Sequence, residues 1–358
     1  MSGDSHLNDC EIVIGLVSPV GVNLDDVRNR LESLFEQFNY KVNFIHLSAI
    51  AKLVNTSSCV SVSGDEQERL KEGMDIGLKF REKYERGDYD SLLAINAINE
   101  KRKDEDIQPL KRHAHIIRSL KHADEVETLR SVYGEGFFLL GVSSSIVSRK
   151  QYLTVLKGIS KDKVDELISR DNKEDADFGQ QTRSVFQMAD AFVTTDDTER
   201  LSEQLSRILD LLFSKPVISP TPDEYAMFMA YAASVRSADL SRQVGAVITN
   251  EQNDIVATGA NDVPKFGGGL YWPGSEDERD HIKKYDSNEK EKQSIILKIM
   301  KKIDPESEEG DEALVIKGKK LLKNTGLLNI TEYGRSVHAE MEALLSAARN
   351  GISVRNCT

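Results

Sequence analysis

Residues 336–343 (SVHAEMEA) set an imidazole and a carboxylate two positions apart at the start of a helical pattern. Ser336 is suited to cap that helix, and Val337, Met341, Leu344, Leu345 and Ala348 fall on one apolar face. Arg349 suits the last turn and Gly351 the left-handed stop. His338 and Glu340 are therefore expected in the first turn, near the open backbone N–H groups. There an imidazole can give one nitrogen to zinc. A carboxylate that is not itself a ligand can carry a proton between the metal-bound water and the group it attacks. The spacing alone is weak evidence, because two polar residues this close on one helix more often form an exposed pair.

Two upstream segments change that balance. Residues 236–248 (RSADLSRQVGAVI) lead from a helix into a strand and carry Ser237, Asp239 and Gln243. Residues 259–264 (GANDVP) make a turn holding Asn261. The run 267–272 (GGGLYW) reads equally as a phosphate cradle with an aromatic wall or as a loop pinned by two aromatics. Taken singly, Gly245, Gly259 and Asn261 are ordinary strand and turn residues.

Together these segments resemble the deoxycytidylate deaminase branch of the cytidine deaminase family. The first matches that branch's S-x-D-x-S-x-Q-V-G-A-V-I segment and the second its G-x-N-x-x-P turn, and the order of elements agrees. The likeness covers about residues 222–358, excepting most of 275–335. It implies a Zn2+ cofactor with His338 as one ligand, and Glu340 as the catalytic proton shuttle at ring N3. It also implies Asn261 at the nucleotide sugar, and Ser237, Asp239 and Gln243 lining the pocket. The family draws two further ligands from P-C-x-x-C, and nothing here matches: Cys357 is followed only by Thr358. The expectation is a domain incomplete at its C-terminal end, whose residues alone do not hold catalytic zinc tightly.

The elements that must position these residues follow from periodicity. Strand-like runs fall at 11–17, 42–48, 114–118, 137–143 and 190–194, separated by helical patterns at 24–38, 65–87, 122–132 and 198–213. This alternation predicts a mostly parallel sheet covered on both faces. Residues 214–222 hold three prolines and make a linker. Thr221 and Glu224 form a capping box for a helix running to about Arg236. Strands are expected at 243–249 and 255–260, helices at 288–302 and 311–322, and a solvated acidic loop at 306–312.

In the first half, Gly15 and Gly21 bracket a strand-to-helix turn where a phosphate loop belongs. The spacing departs from G-x-x-x-x-G-K-[ST], and neither Lys nor Ser/Thr follows Gly21, which counts against a nucleotide kinase. With residues 116–122 and 178–183, this half and the second resemble bacterial anti-phage deoxycytidine deaminases, in which a P-loop kinase-like domain precedes the deaminase. The implied architecture is α/β throughout: a P-loop kinase-like parallel sheet with helices on both faces over 1–215, then a C-terminally incomplete cytidine deaminase-like α/β domain over 220–358. The resemblance implies conversion of dCTP and dCMP to dUTP and dUMP in antiviral defence. It implies a regulatory first domain and restraint of some members by a small inhibitory RNA. Arg118, Lys121 and Arg183 are that domain's candidate phosphate partners, although such residues are more often plain surface charges. A homo-oligomer is expected, and a nucleotide sensor without catalysis is the alternative reading.

Composition sets the outer bounds. The 358 residues exceed what one core usually supports. A formal net charge of −12 disfavours a long electrostatic footprint on nucleic acid. Three cysteines without repeated spacing argue against a disulfide framework. No basic, cleavable leader opens the sequence and no apolar run is long enough to span a bilayer, so a cytoplasmic protein without membrane partners is expected.

Overall fold

The computed structural model describes residues 9–54, 66–104, 109–172, 181–274, 276–322, 325–330 and 332–358. The chain divides into two compact units, Met1–Ile218 and Ser219–Thr358. Among the described residues no helix is long and apolar enough to cross a membrane.

The first unit is built on β1 (Glu11–Val17), β2 (Lys41–His46), β3 (His113–Arg118), β4 (Phe137–Ser143) and β5 (Ala191–Thr194). They form one parallel sheet in the order β2-β3-β1-β4-β5. β1 lies at the centre, buried on both faces, and so reads as a continuous apolar run rather than an alternating one. The pleat divides it between two cores. Ile12, Ile14 and Leu16 meet α1 (Leu24–Gln37) and α9 (Thr198–Leu212) through Leu31, Phe35, Leu205 and Leu209. Val13 and Val17 meet α4 (Tyr89–Asp104) and α5 (Ala123–Tyr133) through Ala94, Ile98, Val126 and Leu129. The doubly covered parallel sheet expected from periodicity is present.

The remaining helices of this unit are α2 (Leu47–Val54), α3 (Glu66–Tyr84), α6 (Ile146–Gln151), α7 (Lys161–Asn172) and α8 (Thr182–Gln187). One boundary needs correction: β2 stops at His46, and the Leu47 and Ser48 assigned to the strand open α2. α4 escapes a periodicity reading because its apolar residues are spread around the axis instead of forming a stripe.

The second unit holds α10 (Pro222–Ser234), β6 (Gly245–Thr249), β7 (Ile255–Ala260), α11 (Asp280–Lys283), α12 (Ser287–Ile303), α13 (Asp311–Leu321) and α14 (Ala339–Arg349). β6 and β7 pair antiparallel with Gly245 opposite Ala260 and Ala246 opposite Gly259. Consecutive residues Gly259 and Ala260 face opposite ways, so Gly245 and Gly259 look out from opposite faces of the hairpin. Each meets a helix. A Cβ on Gly245 would lie 1.9 Å from the Ala230 carbonyl of α10, and one on Gly259 2.1 Å from the Ala339 carbonyl of α14. The hairpin is thus a thin middle layer between two helices, and the glycines permit backbone-to-backbone approach.

Candidate functional site

α14 is seated by its smallest residues. Ala339, Ala343 and Ala347 recur every four positions and are buried against Gly259, Ala257 and Ile248. The expected apolar face is therefore corrected: Met341, Leu344 and Leu345 are exposed, because only the alanine stripe fits the close approach at Gly259. The cap is corrected as well. His338, not Ser336, is the N-cap, with extended backbone (φ −68°, ψ 148°) and a carbonyl that accepts from the Glu342 N–H at 3.0 Å. Its side chain makes no cap bond and is exposed, as is Glu340 in the first turn. Arg349 closes the last turn, and Gly351 takes φ +66° as expected.

The residues singled out upstream converge on one loop. Asn261 accepts the Val244 N–H on Oδ1 at 2.7 Å and donates Nδ2 to the Arg242 carbonyl at 2.7 Å. Its own backbone N–H reaches the Val244 carbonyl at 3.0 Å, and Ser237 Oγ donates to the Asn261 carbonyl at 2.5 Å. Asp239 Oδ1 accepts from the Ser241 N–H at 2.9 Å and from the Ser241 hydroxyl at 2.7 Å. Gln243 Nε2 donates to the Asp239 carbonyl at 2.5 Å. Ser237, Asp239, Gln243 and Asn261 thus share one hydrogen-bonded turn, and each holds the backbone of that turn.

One backbone bond joins this turn to the helix that carries His338. Val337 donates its N–H to the Asp262 carbonyl at 3.0 Å. The Ser336 hydroxyl is among the groups that lower the Asp239 carboxyl. Burial pushes Asp239 up, but the bonds from Ser241, Ser336 and the Arg242 N–H outweigh it and hold the carboxyl below its usual range.

Sequence reasoning missed the support beneath this arrangement. Asp262 is 1% exposed and meets Arg279 Nη1 at 3.4 Å, while Arg279 also grips Asp277 through Nε at 2.8 Å and Nη2 at 2.6 Å. Arg335 bonds Asp280 at 2.7 Å, and Arg349 pairs with buried Glu342. Arg236 lies over Trp272, 4.1 Å from the ring centroid, and donates to the Tyr271 carbonyl at 3.3 Å. No periodic signal marks such pairs, and those of Arg279 with Asp262, Arg335 with Asp280 and Arg236 with Tyr271 join residues well separated in the chain. The glycine run 267–269 takes positive φ at all three residues and forms a turn closed by Lys265 N–H on the Gly269 carbonyl at 2.8 Å.

As a metal centre the set is incomplete. Among the described residues no three of His, Cys, Asp and Glu are grouped to hold an ion. Cys357 packs on the hairpin core with its Sγ 3.9 Å from the Ser353 and Arg355 carbonyls. His338 offers one nitrogen, and the donors present do not fit a three-ligand zinc site.

In the first unit, the expected residues separate. Gly15 is corrected from the loop to the body of β1, where the space of its missing Cβ goes to Leu120 and Phe137. Gly21 is in the loop, with φ +88° beside the Arg149 backbone. Arg118 pairs with Asp25 at 2.6 Å and Lys121 with Asp171 at 2.9 Å. Both cations line a cavity of about 510 Å³ shared with Ser18, Gly21, His46 and Lys157. Arg183 is exposed on α8 and does not line that cavity, while residues 178–180 of the segment read with it lie outside the described residues.

Residues 220–358 match the model of the cytidine and deoxycytidylate deaminase zinc-binding region. No curated protein matches the chain. Among solved structures it is similar to a shikimate kinase from Acinetobacter baumannii in complex with shikimate, at 13% identity over 58% of this chain and 96% of that one, TM-score 0.34. TT1252 from Thermus thermophilus is 12% identical over 58% and 99%, TM-score 0.30. A gluconokinase from Sinorhizobium meliloti is 11% identical over 57% and 97%, TM-score 0.31.

Proposed function

We propose that this protein takes part in the hydrolytic deamination of deoxycytidine nucleotides, dCMP and dCTP, to dUMP and dUTP. The observation that carries the reading is the backbone bond from Val337 to the Asp262 carbonyl, which ties the start of the helix bearing His338 and Glu340 to the residue after Asn261, within a region matching the deaminase model. Water adds at C4 of the cytosine, the C4–N bond breaks, and ammonia leaves. Glu340, exposed in the first turn, is the group that protonates ring N3 and then the departing amine. The turn around Asn261 presents the sugar, with Ser237, Asp239 and Gln243 holding its shape. Of the zinc ligands, the described residues supply His338 alone, so this chain's own described contribution is binding and proton handling.

The likeness of both halves to anti-phage deaminases supports a role in depleting deoxycytidine nucleotides during phage replication, with the first unit as regulator. A second reading is a sensor that binds the nucleotide without turning it over. The test is to incubate the native protein with Zn2+ and dCMP or dCTP, separate the products, and measure binding alongside. Release of a uracil nucleotide, lost in Glu340→Gln, supports deamination. Tight binding without product selects the sensor. Turnover that survives Glu340→Gln overturns the assignment of the shuttle.

A further inference from the structure

α10 sorts its side chains by size. Apart from Met229, the residues it buries or half-buries are small: Ala226, Ala230, Ala233 and Ser234. Ala230 and Ser234 meet β6 at Gly245, where an added Cβ would lie 1.9 Å from the Ala230 carbonyl and 2.5 Å from the Ser234 nitrogen. An approach of two backbones this close leaves no room for large side chains between them. They stand outside instead. Tyr225, Met227, Phe228, Tyr231 and Val235 are 46–73% exposed, Ala232 is exposed among them, and no charged residue interrupts positions 225–235. Single exposed apolar residues are ordinary, but five large ones along one helix and its cap form a continuous patch of the kind that meets another surface.

The chemistry of the patch says what it fits. A helix lying in a membrane surface rims its apolar face with Lys and Arg, whereas α10 has neither and opens with Asp223 and Glu224. Tyr, Phe and Met without charge are the composition of the centre of a protein–protein contact. Tyr225, Phe228, Ala232 and Val235 recur at i, i+3, i+7 and i+10, the spacing of a helix–helix seam. That stripe complements itself when reversed. With the midpoint level with position 230, an antiparallel copy sets Tyr225 against Val235 and Phe228 against Ala232, a large side chain facing a smaller one in each layer. The charges reverse with it. The first turn carries Asp223 and Glu224, and the chain just past the helix carries Arg236 and the exposed Arg242. Antiparallel pairing brings these opposite signs together and opposes the two helix dipoles, while parallel pairing sets carboxylates beside carboxylates.

We propose that the exposed face of α10 is the contact through which two copies of this chain pair, their α10 helices antiparallel about a two-fold axis. Each α10 runs directly into the turn that holds Ser237, Asp239 and Gln243. The two turns therefore lie at opposite ends of the seam, about 20 Å apart at a rise of about 1.5 Å per residue. The proposal rests on the packing of the second unit and stands apart from the deaminase reading.

The test is sedimentation of the full chain over a dilution series, beside Phe228→Asp/Tyr231→Asp, whose circular dichroism checks that the fold is kept. The expected result is a concentration-dependent dimer whose dissociation constant rises by about thirtyfold or more in the variant. A chain that is monomeric at every concentration overturns the proposal, as does a dimer indifferent to the two substitutions. Cross-linking fixes the geometry without disturbing the centre of the patch, and decides the matter if the charged variant does not fold. Tyr225→Cys mixed with Val235→Cys should give a disulfide-linked pair on mild oxidation, while each variant alone should link no more than the unaltered chain with its own cysteines. Linking by either variant alone marks a parallel pair, and no linking in the mixture leaves α10 outside the contact; both overturn the proposal. Retention of the chain on vesicles of anionic lipid, lost in Phe228→Asp/Tyr231→Asp, assigns the face to a membrane and overturns it as well.

Discussion

Val337 donates its backbone N–H to the carbonyl of Asp262 at 3.0 Å, fastening the turn after β7 to the residue that precedes His338. Seventy-odd residues, including α11, α12 and α13, intervene between those two positions. The Asp262 side chain is at the same time held by buried Arg279. The placement of the imidazole therefore depends on an ion-pair cluster that never touches it.

Replacing Arg279 by Met should show this dependence. It would leave Asp262 and Asp277, 1% and 8% exposed, without their shared cation. Removing one partner from a buried ionic cluster costs about 3–5 kcal/mol. A denaturant midpoint for the second unit within error of the unaltered protein would contradict this account.

Gly259→Ala tests the seating of α14 directly. The added Cβ would lie 2.1 Å from the Ala339 carbonyl and 2.3 Å from the Ala343 nitrogen, both backbone atoms that cannot rotate away. Overpacking of this kind costs about 1–3 kcal/mol. The helix carrying His338 and Glu340 should also shift, so nucleotide binding is expected to weaken together with the melting temperature. A loss of stability with unchanged binding would separate the seating from the site.

Asn261→Ala should behave differently. The Val244 N–H and Arg242 carbonyl that it releases are exposed, so water can replace the lost partners and stability should fall by only about 1 kcal/mol. The turn holding Ser237, Asp239 and Gln243 nevertheless loses its brace. The expected signature is a marked rise in the Kd for dCMP with a nearly unchanged melting temperature. Unaltered dCMP affinity would remove Asn261 from the binding role.

Acid should loosen the first unit through Glu11. Burial raises its carboxyl, but His115 at 2.9 Å and Arg102 at 3.1 Å outweigh this and hold it at about 2, against a usual 4.5. Because the folded-state value is depressed, its contribution is complete above about pH 4.5 and is lost as the pH falls toward 2. Glu11→Gln should flatten that part of the stability profile for the first unit. A profile as steep as the original would assign the acid sensitivity elsewhere.

Local periodicity and turn chemistry determined a good deal by themselves. β1, β4 and β7 fall to the residue where periodicity puts them, α9 ends one residue early, and the Thr221–Glu224 capping box forms as written, because these signals lie within a few neighbouring residues. Ser237, Asp239, Gln243 and Asn261 share one hydrogen-bonded turn, since a strand, a turn and the antiparallel strand beside it keep their partners near in the chain. What the tertiary structure alone decided is which face of α14 is buried and what sits in the loop after β1. A helical wheel ranks Met341, Leu344 and Leu345 above alanine for burial, but the missing Cβ of Gly259 brings two backbones so close that only the alanine stripe fits. Nor could spacing bring Asp171 to Val20, 151 residues away: that bond exists because a parallel sheet gathers the ends of its strands, and the helices that follow them, at one edge.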